Sequence, residues 1–534
     1  NNTYSFLNGG NIIIANASIK GDLVNEPFNK NSVQKLMSCK GGTFIYRNNK
    51  IFKISLINNS ISSELIFDNL PFKDALCINY SEALKKYLVG TSTDGLYILS
   101  KPTFNVLKLP ATESGTNIFY AQQLINNKLF ANGYLLSADE HEAPQKIFSD
   151  FSPFNLSTDK KGQLFFCSYQ DYTMNIRKYD FEKKQLTIIP TKQKENIKLI
   201  TYNQFDSLIY FSTGTFLGKI NDTNVIQIPI APEIKFINTL CFINKDSVFI
   251  GTKKGLFTYC FSANKYSKLI AEGDFRTIYK DRLFNYWCGT YASGFYVVNK
   301  TGIVKLPPDY SNRLKGVHAF YQDKQNRLWM STNNGIITAN INDLLAYKPE
   351  INNGVFYNIF DKSDGLSTNE FNGGCSPSSV YFNNGILSLP SMDGIVQFSP
   401  DDIVLSAFPQ QVYIDNIICN SAPFNYTDKI LFPKESKQIS FMISYPYYGK
   451  KDEIVVQYLL NGNGDRWFDA ANNNITFSEL PHGDYILQLK IKGSNRILKT
   501  ITFSIAPHFY QTLWFYLLVF SGILMAAYLF YKRR

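Results

Sequence analysis

The sequence predicts an all-β protein with three parts: a β-propeller of about seven to nine repeats, an Ig-like β-sandwich and one C-terminal transmembrane helix. Three observations support this fold class. A motif recurs about every 40 residues, apolar and polar residues alternate between 408 and 505, and an uncharged apolar run closes the chain. We expect the propeller over residues 1–405, the sandwich over 406–505 and the membrane segment over 506–534.

The repeat consists of an apolar pair, Gly or Ser, Thr, a short polar turn, Gly and a second apolar run. Its clearest copies are Leu88–Leu99, Phe249–Tyr259, Trp287–Val298 and Trp329–Ala339. This pattern is typical of a β-hairpin, because the turn needs a residue that tolerates positive φ. A repeat of about 40 residues with two or more strands predicts a propeller blade. The alternative is an array of β-sandwiches, which the regular spacing disfavours.

Nine copies can be aligned on the glycine that precedes Thr. The aligned residues are Tyr46, Gly90, Ala131, Ser168, Ser212, Gly251, Gly289, Ser331 and Leu389. A propeller typically closes with about four to eight blades. Either the ring is large, or the first one or two copies belong to a preceding, incomplete ring. The longest interval precedes the last copy and carries an insertion around Asn352–Ser376.

Beyond residue 405 the blade motif stops and strict alternation begins. Residues that share one face of a strand are Ile439, Phe441, Ile443 and Tyr445, then Tyr485, Leu487, Leu489 and Ile491, and then Ile501, Phe503 and Ile505. About 100 residues with about seven such strands are typical of an Ig-like sandwich.

The chain closes with a candidate membrane span. Leu513–Tyr531 contains no charged residue, and as a helix it would extend about 28 Å, close to the thickness of a bilayer core. Trp514 and Tyr528 suit interfacial positions, and the basic residues 532–534 predict a cytoplasmic C-terminus. The preceding residues would then lie outside the cytoplasm. A buried core helix and a passive tail anchor are the alternatives.

Composition and motifs give no indication of catalysis. The net charge of +11 is spread without a dense Lys/Arg block, which disfavours nucleic-acid binding. The eight cysteines form no CxxC pair, and the four histidines are scattered, so we expect no metal and no cofactor. No GxSxG, HExxH or P-loop motif occurs. A glycan-active enzyme with paired carboxylates at the propeller axis stays open as an alternative.

Several segments resemble known families. Residues 322–336 (QDKQNRLWMSTNNGI) are similar to the two-component regulator propeller repeat, and residues 361–403 to the stretch that closes this propeller in periplasmic sensors. Leu389-Pro390-Ser391 stand where that family has Phe-Gly-Gly, so we expect an irregular last hairpin. Residues 456–467 and 477–491 resemble the Y_Y_Y domain, in which Trp467 and Tyr485 would be core residues.

The resemblance implies the periplasmic sensor region of a Bacteroidota two-component regulator, often of the hybrid histidine kinase type. It implies a homodimer held in the inner membrane, a helix that transmits the signal, and a kinase or DNA-binding output beyond Arg534. The ligand would be an oligosaccharide or another small molecule on the loop face or axis of the propeller. A membrane-anchored binding or scaffold protein without signalling output is the alternative.

Ligand contacts are expected among polar and aromatic residues of the hairpin turns and the insertion. The candidates are Tyr291, Asn333, Asn334, Asn369, Glu370 and Asn372. A solvated turn is the competing interpretation for each of them. Trp287 and Trp329 lie within apolar strands and are interpreted as blade core.

Overall fold

The computed structural model describes residues 4–8, 11–15, 18–26, 35–57, 60–82, 85–100, 103–109, 117–137, 142–170, 173–193, 195–309, 311–349, 354–406, 408–425, 430–447, 449–450, 453–461, 466–494 and 496–534. The chain divides into two compact units. The first comprises residues 1–105 with 402–404, and the second comprises 106–401 with 405–534.

The described residues of the first unit form three sheets. The two-stranded sheet consists of β1 (Tyr4–Asn8) and β2 (Asn11–Ala15). In the five-stranded sheet, β3 (Ser18–Gly21) is followed across the sheet by β7 (Ser60–Phe67), β6 (Lys50–Ile57), β5 (Gly42–Arg47) and β4 (Lys35–Cys39). The third sheet consists of β8 (Cys77–Ser81), β9 (Lys86–Gly90) and β10 (Leu96–Ser100). Buried Phe44, Tyr46, Phe72 and Val89 form part of the core of this unit.

In its described residues, the second unit contains eight four-stranded sheets, of which seven form a ring and are called blades 1 to 7. In blades 1 to 6 the strand order across the sheet follows the chain. Blades 1 to 3 consist of β12 (Gln122–Ile125), β13 (Lys128–Ala131), β14 (Tyr134–Leu136) and β15 (Gln145–Lys146); β16 (Leu156–Thr158), β17 (Leu164–Gln170), β18 (Thr173–Asp180) and β19 (Gln185–Ile189); and β20 (Leu199–Asn203), β21 (Leu208–Ser212), β22 (Leu217–Asn221) and β23 (Asn224–Ile228).

Blades 4 to 6 repeat this arrangement, and a short helix, α1 (Ile341–Ala346), precedes the last strand of blade 6. Their strands are β24 (Ile237–Phe242), β25 (Ser247–Thr252), β26 (Gly255–Cys260) and β27 (Lys265–Ile270); β28 (Phe275–Lys280), β29 (Tyr286–Thr290), β30 (Phe295–Asn299) and β31 (Gly302–Lys305); and β32 (Val317–Gln322), β33 (Arg327–Thr332), β34 (Gly335–Asn340) and β35 (Asn358–Phe360).

Blade 7 closes the ring by taking its outermost strand from the segment that precedes blade 1 in the chain. Its first three strands are β36 (Val380–Tyr381), β37 (Leu387–Ser391) and β38 (Gly394–Phe398), and its outermost strand is β11 (Asn105–Leu107). The first strand of each blade contacts the first strand of the next from β12 to β32, and β12 also contacts β36. A salt bridge of 2.7 Å between Lys108 and Asp393 lies beside this closure. The described part of the second unit therefore contains a seven-bladed propeller.

All nine repeat positions lie on the second strand of a hairpin, each in a different sheet. Seven of them fall in blades 1 to 7, and Tyr46 and Gly90 fall in β5 and β9 of the first unit. The predicted propeller fold is confirmed. Two of the copies stand outside the closed ring. That they belong to a second, incomplete ring stays a prediction, as do the domain boundaries at 405 and 505.

Buried tryptophans fix the hairpins of blades 5 and 6. In blade 6 the Asp323 carboxylate accepts hydrogen bonds from the Trp329 indole N–H (2.7 Å) and the Arg327 backbone N–H (2.8 Å). In blade 5, Asp281 accepts from the Trp287 indole at 3.0 Å. Both indoles are buried, so each N–H needs such an acceptor. The interpretation of Trp287 and Trp329 as blade core is confirmed.

The last hairpin is regular, so the expectation of an irregular one is wrong. β37 and β38 pair residue by residue from Leu387 to Ser391 without a register shift. Gly394 takes the positive φ of 103° that the turn requires. Pro390 lacks an N–H, but the neighbouring strand β36 pairs only with Leu387 and Ser388 and ends before it. The ladder therefore loses no bond to that strand at the proline.

In its described residues, the sandwich consists of two sheets with nine strands, where about seven strands were expected. The first sheet contains β40 (Ala422–Pro423), β39 (Tyr413–Cys419), β42 (Gln438–Ser444) and β45 (Asn474–Ser478). The second contains β41 (Ile430–Phe432), β47 (Lys499–Ile505), β46 (Gly483–Ile491), β43 (Val456–Leu460) and β44 (Phe468–Asp469). The predicted inward residues Phe441, Leu487, Leu489 and Phe503 are buried together between the sheets.

The two expected core aromatics of the sandwich differ in position. Tyr485 packs against the core, stacks on Phe503 at 5.1 Å between centroids, and donates its hydroxyl to the Pro481 carbonyl at 2.7 Å. Trp467 is only half-buried and lies outside this core, with the Lys490 ammonium 4.3 Å from its ring centroid. The expectation for Trp467 is therefore wrong, since the long lysine stem covers a surface indole.

The second unit ends in helix α2 (Leu513–Arg533), with a mean hydropathy of 2.0 over its most apolar stretch. None of that stretch is buried, which contradicts the alternative of a buried core helix. By length and composition α2 is sufficient to cross a bilayer. Residues 506–512 separate it from β47, and they include a short 3₁₀ turn, Phe509–Gln511.

Candidate functional site

The candidate residues lie on one face of the propeller. In each blade, the first strand begins and the second strand ends on the same side, because the two strands are antiparallel. We call this side the upper face. Tyr291 lies there, in the turn between β29 and β30, and Asn333 and Asn334 lie in the turn between β33 and β34.

Residues 369–378, which we call the crossing segment, start on this face at blade 6. The Asn369 carbonyl accepts from Gly335 N at 2.7 Å, and Phe371 N donates to the Thr332 carbonyl. The Glu370 carbonyl then accepts from Met392 N in blade 7. The segment therefore leaves one blade and passes onto the next.

The crossing segment ends on the other side of the ring. The Ser376 carbonyl accepts from Leu156 N in blade 2 at 2.7 Å, and the Pro377 carbonyl accepts from Gln122 N in blade 1. Gly374 lies beside the Arg276 guanidinium of blade 5, and Ser378 Oγ donates to the His318 carbonyl of blade 6. Because these contacts reach five blades, the segment spans the axis of the ring.

Asn372 fixes the crossing segment. Its side chain is buried, and its amide donates to the Phe119 carbonyl at 2.6 Å. Its backbone N–H donates to the Pro390 carbonyl. The buried side-chain amide of Asn372 therefore links the crossing segment to the ring. Asn334 and Glu370 are exposed, and the Asn369 Oδ1 accepts from the Lys362 backbone N–H.

Four residues form a polar group with an aromatic side chain, which we call the Arg276 cluster: Asn238, Asp274, Arg276 and Tyr291. Asp274 receives two hydrogen bonds from Arg276, at 3.0 Å from Nε and 2.8 Å from Nη2, and a third from the Asn238 amide at 2.8 Å. The guanidinium carbon lies 5.0 Å from the Tyr291 ring centroid. The carboxylate holds the guanidinium plane in one orientation.

The Arg276 cluster leaves ligand-binding groups accessible. Tyr291 is 51% exposed although the guanidinium lies over its ring. The remaining Arg276 nitrogen, Nη1, points towards Gly374, where a Cβ would come within 2.5 Å of it. An exposed aromatic ring beside fixed hydrogen-bonding groups is suited to a ligand with an apolar face and polar edges.

His318 lies under the crossing segment. It is 4% exposed, and its Nε2 lies 2.6 Å from the Asn333 Oδ1, so Nε2 carries the proton that it donates. Burial lowers the pKa of His318; the bond to Asn333 and the Glu370 charge oppose this, and the Arg276 charge adds to it. Nδ1 is buried against Gly373 and finds no hydrogen-bond partner within the described ranges.

Asn238, Asp274, Arg276 and His318 were not among the sequence candidates. Three of them occupy the same repeat position, since Asn238, Arg276 and His318 lie 13 residues before Gly251, Gly289 and Ser331. Alignment of the repeats on the first strand would have found them. Across the described residues, no three His, Cys, Asp or Glu side chains come together as a metal site requires.

Apart from the Arg276 cluster, a group of polar side chains joins the propeller to the sandwich. Lys450 of the sandwich pairs with Asp361 at 2.8 Å and with Asp364 at 2.5 Å, directly after β35. Burial alone would raise the pKa of Asp361, but hydrogen bonds from Lys450 and Ser363 outweigh it and lower this pKa to about 2. Asp361 therefore stays ionised and paired at neutral pH.

Glu453 completes this contact, which we call the joint: residues 359, 361, 364, 450 and 453. Its Oε1 accepts from the Ile359 backbone N–H of β35 at 2.7 Å, and its other oxygen accepts from the Tyr447 hydroxyl. Burial raises the pKa of Glu453, while the bonds from Tyr447 and Ile359 lower it in part. A sandwich side chain thus satisfies a backbone N–H of the outermost strand of blade 6.

A closed propeller, a two-sheet sandwich and a terminal apolar helix follow one another in this order, so the chain is a propeller and sandwich next to a candidate membrane span. Residues 314–334 match the family described as two component regulator propeller. The chain is 26% identical over 365 residues to Histidine kinase P4 of Formosa agariphila, a match that covers 62% of this chain and 25% of that protein. It thus spans about a quarter of the length of this relative.

Two solved structures were aligned with the chain, and the first of them has a similar fold. One is the extracellular domain of a putative hybrid two component system from B. thetaiotaomicron, with 18% identity and a TM-score of 0.58 over 95% of this chain and 72% of that one. A second such domain from the same organism has 16% identity and a TM-score of 0.43, over 90% and 70% of the two chains. The resemblance to two-component regulator propellers is confirmed.

Proposed function

We propose that this chain is the extracytoplasmic ligand-sensing region of a membrane signal transducer of the two-component type. Its ligand is a carbohydrate that binds the upper face of the propeller. The observation that carries this proposal is the Arg276 cluster, an exposed tyrosine held beside fixed polar groups where the crossing segment spans the ring. The similarity to Histidine kinase P4 and to extracellular domains of two-component systems supports the signalling role.

The cluster has the chemistry that a saccharide needs. A sugar ring presents C–H groups on its faces and hydroxyl groups at its edges. Tyr291 offers an aromatic face to the former, and Arg276 offers to the latter the guanidinium N–H groups that Asp274 does not accept. Because Asp274 already orients the Arg276 guanidinium, little side-chain entropy of Arg276 is lost on binding.

The joint and α2 provide a route from the ligand to the membrane. The joint fixes the outermost strand of blade 6 to the sandwich, and seven residues, 506–512, connect β47 to α2. A ligand that binds one arrangement of the crossing segment more tightly shifts the population towards it. In this proposal the ectodomain lies in the periplasm, α2 crosses the inner membrane in a homodimer, and the C-terminus is cytoplasmic.

The proposal is tested by a glycan-binding screen of the whole chain in lipid nanodiscs, followed by calorimetric titration of each hit. Tyr291→Ala should weaken the best hit about tenfold, because the stacking surface is lost. Tyr266→Ala is the matched control. Tyr266 is also exposed to solvent (40%), but it lies on β27, the outermost strand of blade 4. The proposal is wrong if no glycan binds, or if Tyr291→Ala binds the hits as tightly as the wild type.

A further inference from the structure

A cavity of about 230 Å³ lies between blades 5 and 6, beside the turn that carries Tyr291. Buried Phe295, Leu306 and Leu314 supply apolar lining, and exposed Lys305 and Lys315 supply two ammonium groups. Ligand pockets that take a whole drug-sized molecule measure about 300–1,000 Å³. This cavity is smaller, and it therefore fits one sugar ring or one substituent of a longer ligand.

The charge of the cavity is positive. Its lining includes Lys305 and Lys315 and, among the described residues, no carboxylate. Asp309 lies nearby but is buried, and its oxygens accept from the backbone N–H groups of Leu314 (2.7 Å) and Ser311 (3.1 Å). Its carboxylate is thus directed at the loop backbone. An apolar lining also strengthens the attraction of the ammonium groups for an anion.

The cavity and Tyr291 belong to one continuous surface. Gly294 N, in the Tyr291 turn, donates to the Lys315 carbonyl at 2.9 Å. Gly316 lies so close that a Cβ there would come within 2.5 Å of the Tyr291 carbonyl oxygen. A ligand that stacks on Tyr291 therefore reaches the cavity with the adjoining part of its structure.

We infer that the cavity binds the anionic group of an acidic saccharide, either a uronate carboxylate or a sulfate ester, while a neighbouring sugar ring lies on Tyr291. This inference rests on the proposed function and adds the chemical class of the ligand. Lysine ammonium groups attract either anion as point charges. Pro307 and Pro308 in the cavity wall offer apolar contact to the C–H groups of the same ring.

The test is calorimetric titration of the whole chain in nanodiscs of zwitterionic lipid. The probes are trigalacturonic acid, its neutral methyl ester, and a sulfated oligosaccharide of the same length. The double variant Lys305→Gln/Lys315→Gln should bind the preferred acidic probe about tenfold more weakly, the effect expected of two exposed ion pairs. Its affinity should also depend less on salt than that of the wild type.

The matched control is Lys300→Gln, an exposed lysine in the turn between β30 and β31 at the opposite end of the same blade. It should bind all probes as the wild type does. Tighter binding of the uronate or of the sulfated probe supports the inference and identifies the anion. Equal affinity for the acid and its methyl ester, or an unchanged double variant, overturns the inference but leaves the proposed function standing if Tyr291→Ala still loses binding. Absence of all saccharide binding overturns both.

Discussion

At the scale of single residues, His318 is the most constrained side chain of the upper face. Its imidazole is buried, one nitrogen is bonded to Asn333, and the other is covered by Gly373. The charged groups nearest to it are Arg276 and Glu370. A proton on Nδ1 would meet a glycine instead of an acceptor, and it would add a second positive charge beside the guanidinium.

His318 should make the stability of the chain depend on pH. Because burial depresses its pKa below 6.5, the neutral ring stabilises the fold above pH 6.5. This contribution is lost as the pH falls through the lower, folded-state pKa. In urea denaturation, the stability advantage of the wild type over His318→Gln should therefore shrink between pH 7.5 and pH 5. Exposed His482→Gln is the control, and an advantage that stays constant with pH contradicts the prediction.

Residue types predicted some positions and not others. Tyr291 was found from the turn motif and is exposed, and Trp329 was recognised as core from its apolar strand. The burial of Trp467 was predicted wrongly, because the presence of a tryptophan does not indicate whether the core or a lysine side chain covers its indole. Arg276 and Asp274 were missed because their pairing depends on the backbone conformation where β28 begins. The alternation of apolar and polar residues carries no information about that conformation.

At the scale of elements, the crossing segment starts on the upper face and contacts five blades of the ring. The sequence predicted an insertion before the last blade, and residues 354–376 of it are described. Its path could not be predicted, because the segment has almost no regular pairing and is held by single backbone bonds to blades 1, 2, 6 and 7. Such contacts leave no periodic pattern in the sequence.

Gly373 should be required for the path of the crossing segment. A Cβ at this position would collide with His318 Nδ1, so Gly373→Ala should destabilise the chain by about 1–3 kcal/mol. The double variant with His318→Ala should be less destabilised than the sum of the two single variants, because the small side chain makes room. Denaturation of all four proteins measures this coupling, and additive free energies contradict the prediction.

At the scale of the whole molecule, the joint decides whether propeller and sandwich move together. Lys450 neutralises Asp361 and Asp364, which otherwise repel each other at the end of β35. The lowered pKa of Asp361, about 2, means that this ion pair stabilises the joint above pH 3.8 and is lost as the pH falls towards 2.

Lys450→Ala should weaken the joint by about 1–2 kcal/mol, since Asp364 loses the Lys450 ion pair and Asp361 retains the longer contact of 3.6 Å with Arg313. In calorimetry the variant should show the sandwich unfolding at a lower temperature than the propeller, as a separate transition. Lys434→Ala is the control, because Lys434 pairs with its exposed neighbour Glu435 within the sandwich. A single unshifted transition in Lys450→Ala would show that other contacts hold the two parts together.

The sequence predicted the order of propeller, sandwich and apolar helix, but it left the number of blades open. Nine motif copies were visible, and nothing in the motif distinguishes the two in the first unit from the seven in the ring. The deciding strand, β11, has three residues and no blade motif of its own. It is recognised only by its pairing with β38.

This pairing has a kinetic consequence. Lys108 and Asp393, which meet beside β11, are 285 residues apart in the chain. A chain that is synthesised from its N-terminus must present almost the entire ring before β38 arrives, and contacts between such distant residues form slowly. Until then, β11 lacks its partner strand and can pair with other chains. The ring is therefore most vulnerable to aggregation before this pairing forms, and chaperones that act on unfolded chains should affect its yield more than its final stability.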